Sequence, residues 1–163
     1  MSTEDDLKQA FAGESQANRT YLAFAKKADE EGYKQVARLF RAAADAETVH
    51  AMAHLRNMGG IKETADNLKQ AVEGETHEFK QMYPPMVEEA RKEDKKVAAR
   101  FFGYANAVEE IHARLYAKAL DNLGRNEEVD IHVCQICGNT VEGEAPETCP
   151  VCGAPKKMFK RID

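Results

Sequence analysis

The first 133 residues contain no cysteine; all four cysteines follow, in two Cys-x-x-Cys pairs. A disulfide framework would staple the whole chain, so this clustering argues against one and points to metal ligation in a C-terminal segment. Long apolar runs are missing too, which excludes a membrane-spanning helix. The N-terminus, Met1-Ser2-Thr3-Glu4-Asp5-Asp6, lacks the basic and apolar regions of a signal peptide, so the expected location is the cytoplasm. An excess of positive charge is also absent, and a net charge of -5 argues against nucleic acid as a partner. What remains is a 163-residue chain, 43% apolar and 31% charged, which suits one main domain with a small appendage.

Helical periodicity dominates up to residue 123. Ser2 or Thr3 can cap a first helix whose opening turn is acidic, and Gly32 can end it. Leu7, Phe11, Glu14, Tyr21 and Phe24 fall on or near one face. On that segment alone, Glu14 reads equally well as a carboxylate at the edge of an apolar stripe. The second helix is expected from about Tyr33 to Met58, stopping at Gly59-Gly60. Its apolar face carries both Glu47 and His50, and burying them is costly unless they are paired or metal-bound. A Glu and a His three apart stack about one turn from each other and can present a carboxylate and an imidazole to one ion. His54 lies a turn further on and reads as an edge histidine outside the set.

The third helix begins near Thr64 and carries Glu75 and Glu78. A break is expected near Tyr83, where Pro84-Pro85 removes donors and crowds the preceding turn. The fourth is expected from roughly Asp94 to Leu123. It carries Glu109 and His112, a second Glu-x-x-His.

The two halves repeat each other. Residues 8–15 align with residues 69–76, pairing Gly13-Glu14 with Gly74-Glu75; further on, Glu47 matches Glu109 and His50 matches His112. The single glutamates lie 33 and 34 residues ahead of their partners. A helical hairpin is therefore present twice, each copy offering one Glu and one Glu-x-x-His, the complement of a four-helix bundle that holds two metals. A mid-helix glycine costs about 1 kcal/mol, so Gly13 and Gly74 predict close helix approach at the site. One position breaks the symmetry: Glu78 corresponds to Ala17. Oxygen ligands with two imidazoles suit iron or manganese better than zinc.

The cysteines, Cys134, Cys137, Cys149 and Cys152, form Cys-x2-Cys-x11-Cys-x2-Cys. Four thiolates make a tetrahedral site for zinc or for a single iron. The segment from Ile131 onward is too short to build its own core, so metal must hold it together. The domain expectation is a helical bundle over 1–123, a linker over 124–130 and a cysteine module over 131–163.

With both modules read, the chain resembles the rubrerythrin family over its whole length. The likeness rests on Ala12-Gly13-Glu14-Ser15, the Gly74 to Pro84 segment with Glu75, Glu78 and Met82-Tyr83-Pro84, both Glu-x-x-His pairs, and the Cys-x-x-Cys-Gly and Cys-Pro-x-Cys-Gly knuckles. The resemblance implies a mainly α, ferritin-like four-helix bundle with a non-haem di-iron site, followed by a small rubredoxin-like module with one iron on four cysteines. It implies Glu14 and Glu75 as terminal ligands, Glu47 and Glu109 as bridges, and His112 on one iron. Glu78 and His50 would alternate on the other with oxidation state. Tyr21 and Tyr83 match tyrosines that hydrogen-bond near the ligands. Asn139 stands where rubredoxins commonly carry an aromatic residue.

The activity so implied is reduction of hydrogen peroxide to water, in defence against oxidative stress. Electrons would come from a soluble NAD(P)H-linked reductase or rubredoxin through the cysteine-bound iron. Two rivals stay open at this stage: a ferroxidase or iron-handling protein, and a non-enzymatic bundle with a structural zinc ribbon. A ferritin-like bundle needs a long crossover between its second and third helices. A second helix of about 26 residues spans roughly 39 Å, whereas Gly59 to Asp66 reaches at most about 29 Å. A domain-swapped homodimer is the expected assembly.

Overall fold

The computed structural model describes residues 2–163 and divides the chain into two compact units, residues 1–62 and 63–163.

The first unit is an antiparallel hairpin of α1 (Thr3–Glu30) and α2 (Lys34–Asn57). Ser2 starts α1 with a reciprocal cap: its hydroxyl accepts from the Asp5 N–H at 3.2 Å, and the Asp5 carboxylate accepts from the Ser2 N–H at 3.0 Å. Gly32, at φ 86°, turns the chain into α2 in a conformation that a side chain would resist. Asp29 pins this turn by accepting from Arg41 at 2.7 Å and from Lys34 at 3.1 Å. The buried seam between the helices is all alanine: Ala25, Ala28, Ala37, Ala44 and Ala51. Asn18 adds a polar clamp, donating to the Ala44 carbonyl at 2.7 Å and to Thr48 Oγ1 at 2.9 Å.

The second unit holds α3 (Thr64–His77), α4 (Tyr83–Lys92) and α5 (Lys96–Asp121), with α3 and α4 both packed on α5. A π-helical turn, Glu78–Met82, joins α3 to α4. The break expected at Tyr83 therefore lies just upstream. The prolines sit in the first turn of α4, where a missing N–H is tolerated. α5 starts two residues later than its pattern suggests, because Asp94 takes φ 54° and leaves the helical region.

Within its own hairpin, a Cβ on Gly13 or Gly74 would meet no atom within 4 Å, so packing inside each hairpin does not demand glycine there.

The C-terminal module is a three-stranded antiparallel sheet in the order β2-β1-β3, built from β1 (Ile131–Cys134), β2 (Thr140–Glu142) and β3 (Phe159–Ile162). Its small core is Cys134, Cys149 and Ala154, flanked by Val151, Met158 and Phe159. The module lies against α5. Val108, 2% exposed, comes within 3.7 Å of where a Cβ on Gly138 would stand, and Lys118 pairs with Glu142. The fold class is thus mainly α, helical hairpins of the ferritin-like kind with a small rubredoxin-like module.

Candidate metal centres

Helical spacing puts Glu47 and His50 on one side of α2, and the hairpin brings Glu14 of α1 to them. His50 Nδ1 lies 2.9 Å from Glu47 and 3.8 Å from Glu14, and the ligating atoms of all three fall within 4.8 Å of one another. A hydrogen bond to Glu47 raises the Glu14 carboxyl above its ordinary range, helped by burial, while the same bond lowers Glu47. Two carboxyls in contact hold one proton more readily than none. His54, outside the sequence-derived set, is close enough for its charge to act on Glu14.

The second unit repeats this arrangement with Glu75 of α3 and Glu109 and His112 of α5. His112 Nδ1 lies 2.8 Å from Glu109 and 3.7 Å from Glu75. Burial raises the Glu75 carboxyl, and the charge of Glu109 adds to it. The two triads differ in exposure: the His50 side chain is 54% exposed and that of His112 27%.

Glu78 is not brought into the second triad; it opens the π turn. Its charge, after burial and that of Glu109, helps push the Tyr83 hydroxyl above its ordinary range, so Tyr83 stays a protonated donor beside the carboxylates. The Tyr83 ring lies 6.3 Å from that of Phe102, and Tyr21 repeats the contact at 6.1 Å from Phe40.

The four cysteines form the third cluster. Gly138 and Gly153, at φ 85° and 77°, close each knuckle by donating their N–H to the carbonyls of Cys134 and Cys149. Burial pushes the Cys149 thiol up, but the N–H groups of Cys152 and Val151, with the neighbouring thiols, bring it down to about 7. Burial raises the Cys137 and Cys152 thiols.

These donor sets can be tested for fit. Cys134 and Cys152 sulfurs are 3.7 Å apart, and those of Cys137 and Cys149 are 3.6 Å apart. A tetrahedron with metal–sulfur bonds of ~2.3 Å has edges of about 3.8 Å, so the sulfurs already outline one. Each helical triad presents two carboxylates and one imidazole nitrogen, a hard set suited to iron.

Sequence reasoning missed two residues. Thr140 Oγ1 lies 2.9 Å from His112 Nε2, and the Asn139 side chain is buried at 1% exposure with its Nδ2 3.7 Å from Cys149 Sγ. Asn139 stood out only for not being aromatic. Nothing in the sequence pointed from Thr140 to a helix 28 residues earlier.

Paired Glu/Glu-x-x-His hairpins with a four-cysteine module define a non-haem di-iron oxidoreductase that carries its own rubredoxin-like centre. The chain matches the rubrerythrin family over residues 5–120 and the rubrerythrin rubredoxin-like domain over residues 132–160. It is 37% identical to rubrerythrin-2 of Clostridium acetobutylicum, over 97% of this chain and 95% of the relative. It is also 37% identical to nigerythrin of Nitratidesulfovibrio vulgaris, over 97% and 85%. A solved structure of nigerythrin in its fully reduced, all-ferrous state matches with a TM-score of 0.58 at 35% identity, covering 99% of this chain and 87% of that one. The chain belongs to the rubrerythrin family. Its cofactors are a non-haem di-iron pair and one iron on four cysteines. Among the described residues, no helix is long and apolar enough to cross a membrane.

Proposed function

We propose that this protein is a cytoplasmic hydrogen peroxide reductase that protects against oxidative stress, fed by a soluble NAD(P)H-linked reductase or rubredoxin. The observation that carries the reading is the duplicated triad, Glu14/Glu47/His50 and Glu75/Glu109/His112, in a chain that also holds a four-thiolate cluster. When bound, two ferrous ions supply together the two electrons that, with two protons, convert one peroxide into two waters.

The chain's own residues set the conditions for that step. Glu14 and Glu75 would be the terminal carboxylates, Glu47 and Glu109 the bridging ones, and His112 a constant ligand. Glu78 and His50 would alternate with oxidation state, as the family resemblance implies. Tyr83, kept protonated by burial and by the charge of Glu109, Glu78 and Glu75, would serve as a hydrogen-bond donor toward the ligands, and Tyr21 takes the matching place in the first hairpin. Cys134, Cys137, Cys149 and Cys152 hold the iron that receives reductant electrons.

The assembly follows from element lengths. α2, with 24 residues, is ~36 Å long. The connection from Asn57 to Thr64 reaches at most about 25 Å, too short for a ferritin-like crossover. The two hairpins that complete one site therefore come from two chains, as a domain-swapped homodimer. A monomer in sedimentation with a full di-iron site would overturn this.

Metal content and the visible spectrum test the activity. The expected result is about three irons per chain, with sulfur-to-iron colour bleached by reductant and restored by peroxide. Zinc at the cysteines, with no colour and no peroxide consumption, would overturn the reading in favour of a structural ribbon. Mineral uptake into a cage would overturn it in favour of iron storage.

A further inference from the structure

The second triad is tied to the cysteine module by a chain of hydrogen bonds within one unit. The imidazole of His112 turns Nδ1 toward Glu109 and Glu75 and Nε2 toward Thr140, 2.9 Å away. The only hydrogen of the Thr140 hydroxyl is donated to the Gly138 carbonyl at 3.1 Å. Oγ1 is then placed to accept from an Nε2–H of His112, while Nδ1, 2.8 Å from Glu109, is the nitrogen on the side of the carboxylates that would share a metal. Thr140 itself is fixed by the sheet, opposite Val133, and the Cys134 N–H donates to the Asn139 carbonyl at 2.9 Å. Gly138 directly follows Cys137 and faces Val108 of α5, whose Cγ1 would lie 3.7 Å from a Cβ at that position.

We propose that Thr140 is a positioning residue that lets the cysteine module, once metal-loaded, set the tautomer and orientation of His112. The small module has only Cys134, Cys149 and Ala154 as a buried core, so metal on its thiolates orders β1, β2 and the knuckle between them. Ordering places Thr140 Oγ1 against Nε2. A fixed outer partner of this kind typically changes the affinity of a histidine ligand about 10–100-fold. Loading the cysteines thereby prepares the helical triad, and the two centres are coupled through one hydroxyl. The inference rests on His112 meeting a metal through Nδ1, as in the proposed function, but on no particular oxidant.

The full chain carrying one equivalent of zinc, taken first by the four thiolates, permits a readout independent of activity. Nitrogen-15 NMR of the histidines should show a slowly exchanging His112 Nε2–H in the wild type. Thr140→Ser should keep it, and Thr140→Val, nearly isosteric, should lose it. In a cobalt(II) titration the carboxylate–imidazole site should bind about tenfold more weakly in Thr140→Val and normally in Thr140→Ser. The same Nε2–H in Thr140→Val, an unprotonated Nε2 in the wild type, or equal cobalt affinity in the wild type and Thr140→Val would overturn the proposal. Peroxide turnover enters neither readout. A chain inactive toward peroxide but with the expected resonance would sink the proposed function and leave Thr140 its role.

Discussion

Asn139 and Cys149 meet inside the cysteine module, the amide Nδ2 3.7 Å from the sulfur and the asparagine almost wholly buried. An N–H donor stabilises a thiolate most when the metal it serves is reduced and the sulfur richest in charge. Asn139→Leu should lower the midpoint potential of the cysteine-bound iron. A differential hydrogen bond of about 1 kcal/mol corresponds to a shift on the order of tens of mV. Redox titration of the visible bands would read it. An unchanged or higher potential would show that the amide serves packing alone.

Cys137→Ser tests the relay. It should abolish steady turnover driven by a reductase, while a chemically reduced protein still consumes peroxide once. Stopped-flow absorbance separates the two regimes. Steady turnover in the variant would remove the cysteine module from the electron route.

The turn of the first hairpin should be sensitive to acid. Hydrogen bonds from Arg41, then Lys34, hold the Asp29 carboxyl below its ordinary 3.8. A depressed carboxyl contributes stability that is present above 3.8 and is lost as pH falls through the lowered folded value. Urea melts of the metal-free chain between about pH 5 and pH 2 should show that loss. Asp29→Asn should be less stable at the upper end and flatter across the range. Parallel curves for the two proteins would assign the acid sensitivity elsewhere.

Val108 faces the Gly138 knuckle from α5 and is the largest apolar side chain buried in the helices. Val108→Ala removes two methyl-sized groups from that contact and should destabilise by about 1–2 kcal/mol, measured by denaturant melts of the zinc-loaded chain. Faster proteolysis in residues 124–130 should accompany it. Unchanged stability would mean that the module is held by Thr140 and Glu142 alone.

Much of this was legible in the sequence because its signals are local. Ser2, Gly32 and the Glu-x-x-His pairs act within a turn or two of chain, and the cysteine knuckles carry their own glycines. The Thr140–His112 bond needs α5 and β2 already packed, and no periodicity announces that. The glycines show the same limit: Gly13 and Gly74 have open space within their own hairpins, so the reason for them does not lie in the local helix pair. The π turn was half legible. Proline chemistry pointed to Tyr83, but two prolines in the first turn of a helix can be accommodated there, and the irregularity moves upstream. Spacing held the better clue, since Glu14 and Tyr21 are seven residues apart whereas Glu75 and Tyr83 are eight.

The second hairpin thus holds one residue more than the first over this stretch. Absorbed into a regular helix, that residue would have swung everything beyond it about 100° around the axis, carrying Tyr83 away from Phe102. The wider π coil takes up the insertion within Glu78–Met82, and the tyrosine–phenylalanine contact of the first copy recurs in the second. The extra residue thus leaves the tyrosine–phenylalanine contact in place and is taken up in the stretch that opens with Glu78, where the first copy has Ala17. A single turn of wider helix keeps a difference in length from becoming a difference in the contacts beyond it.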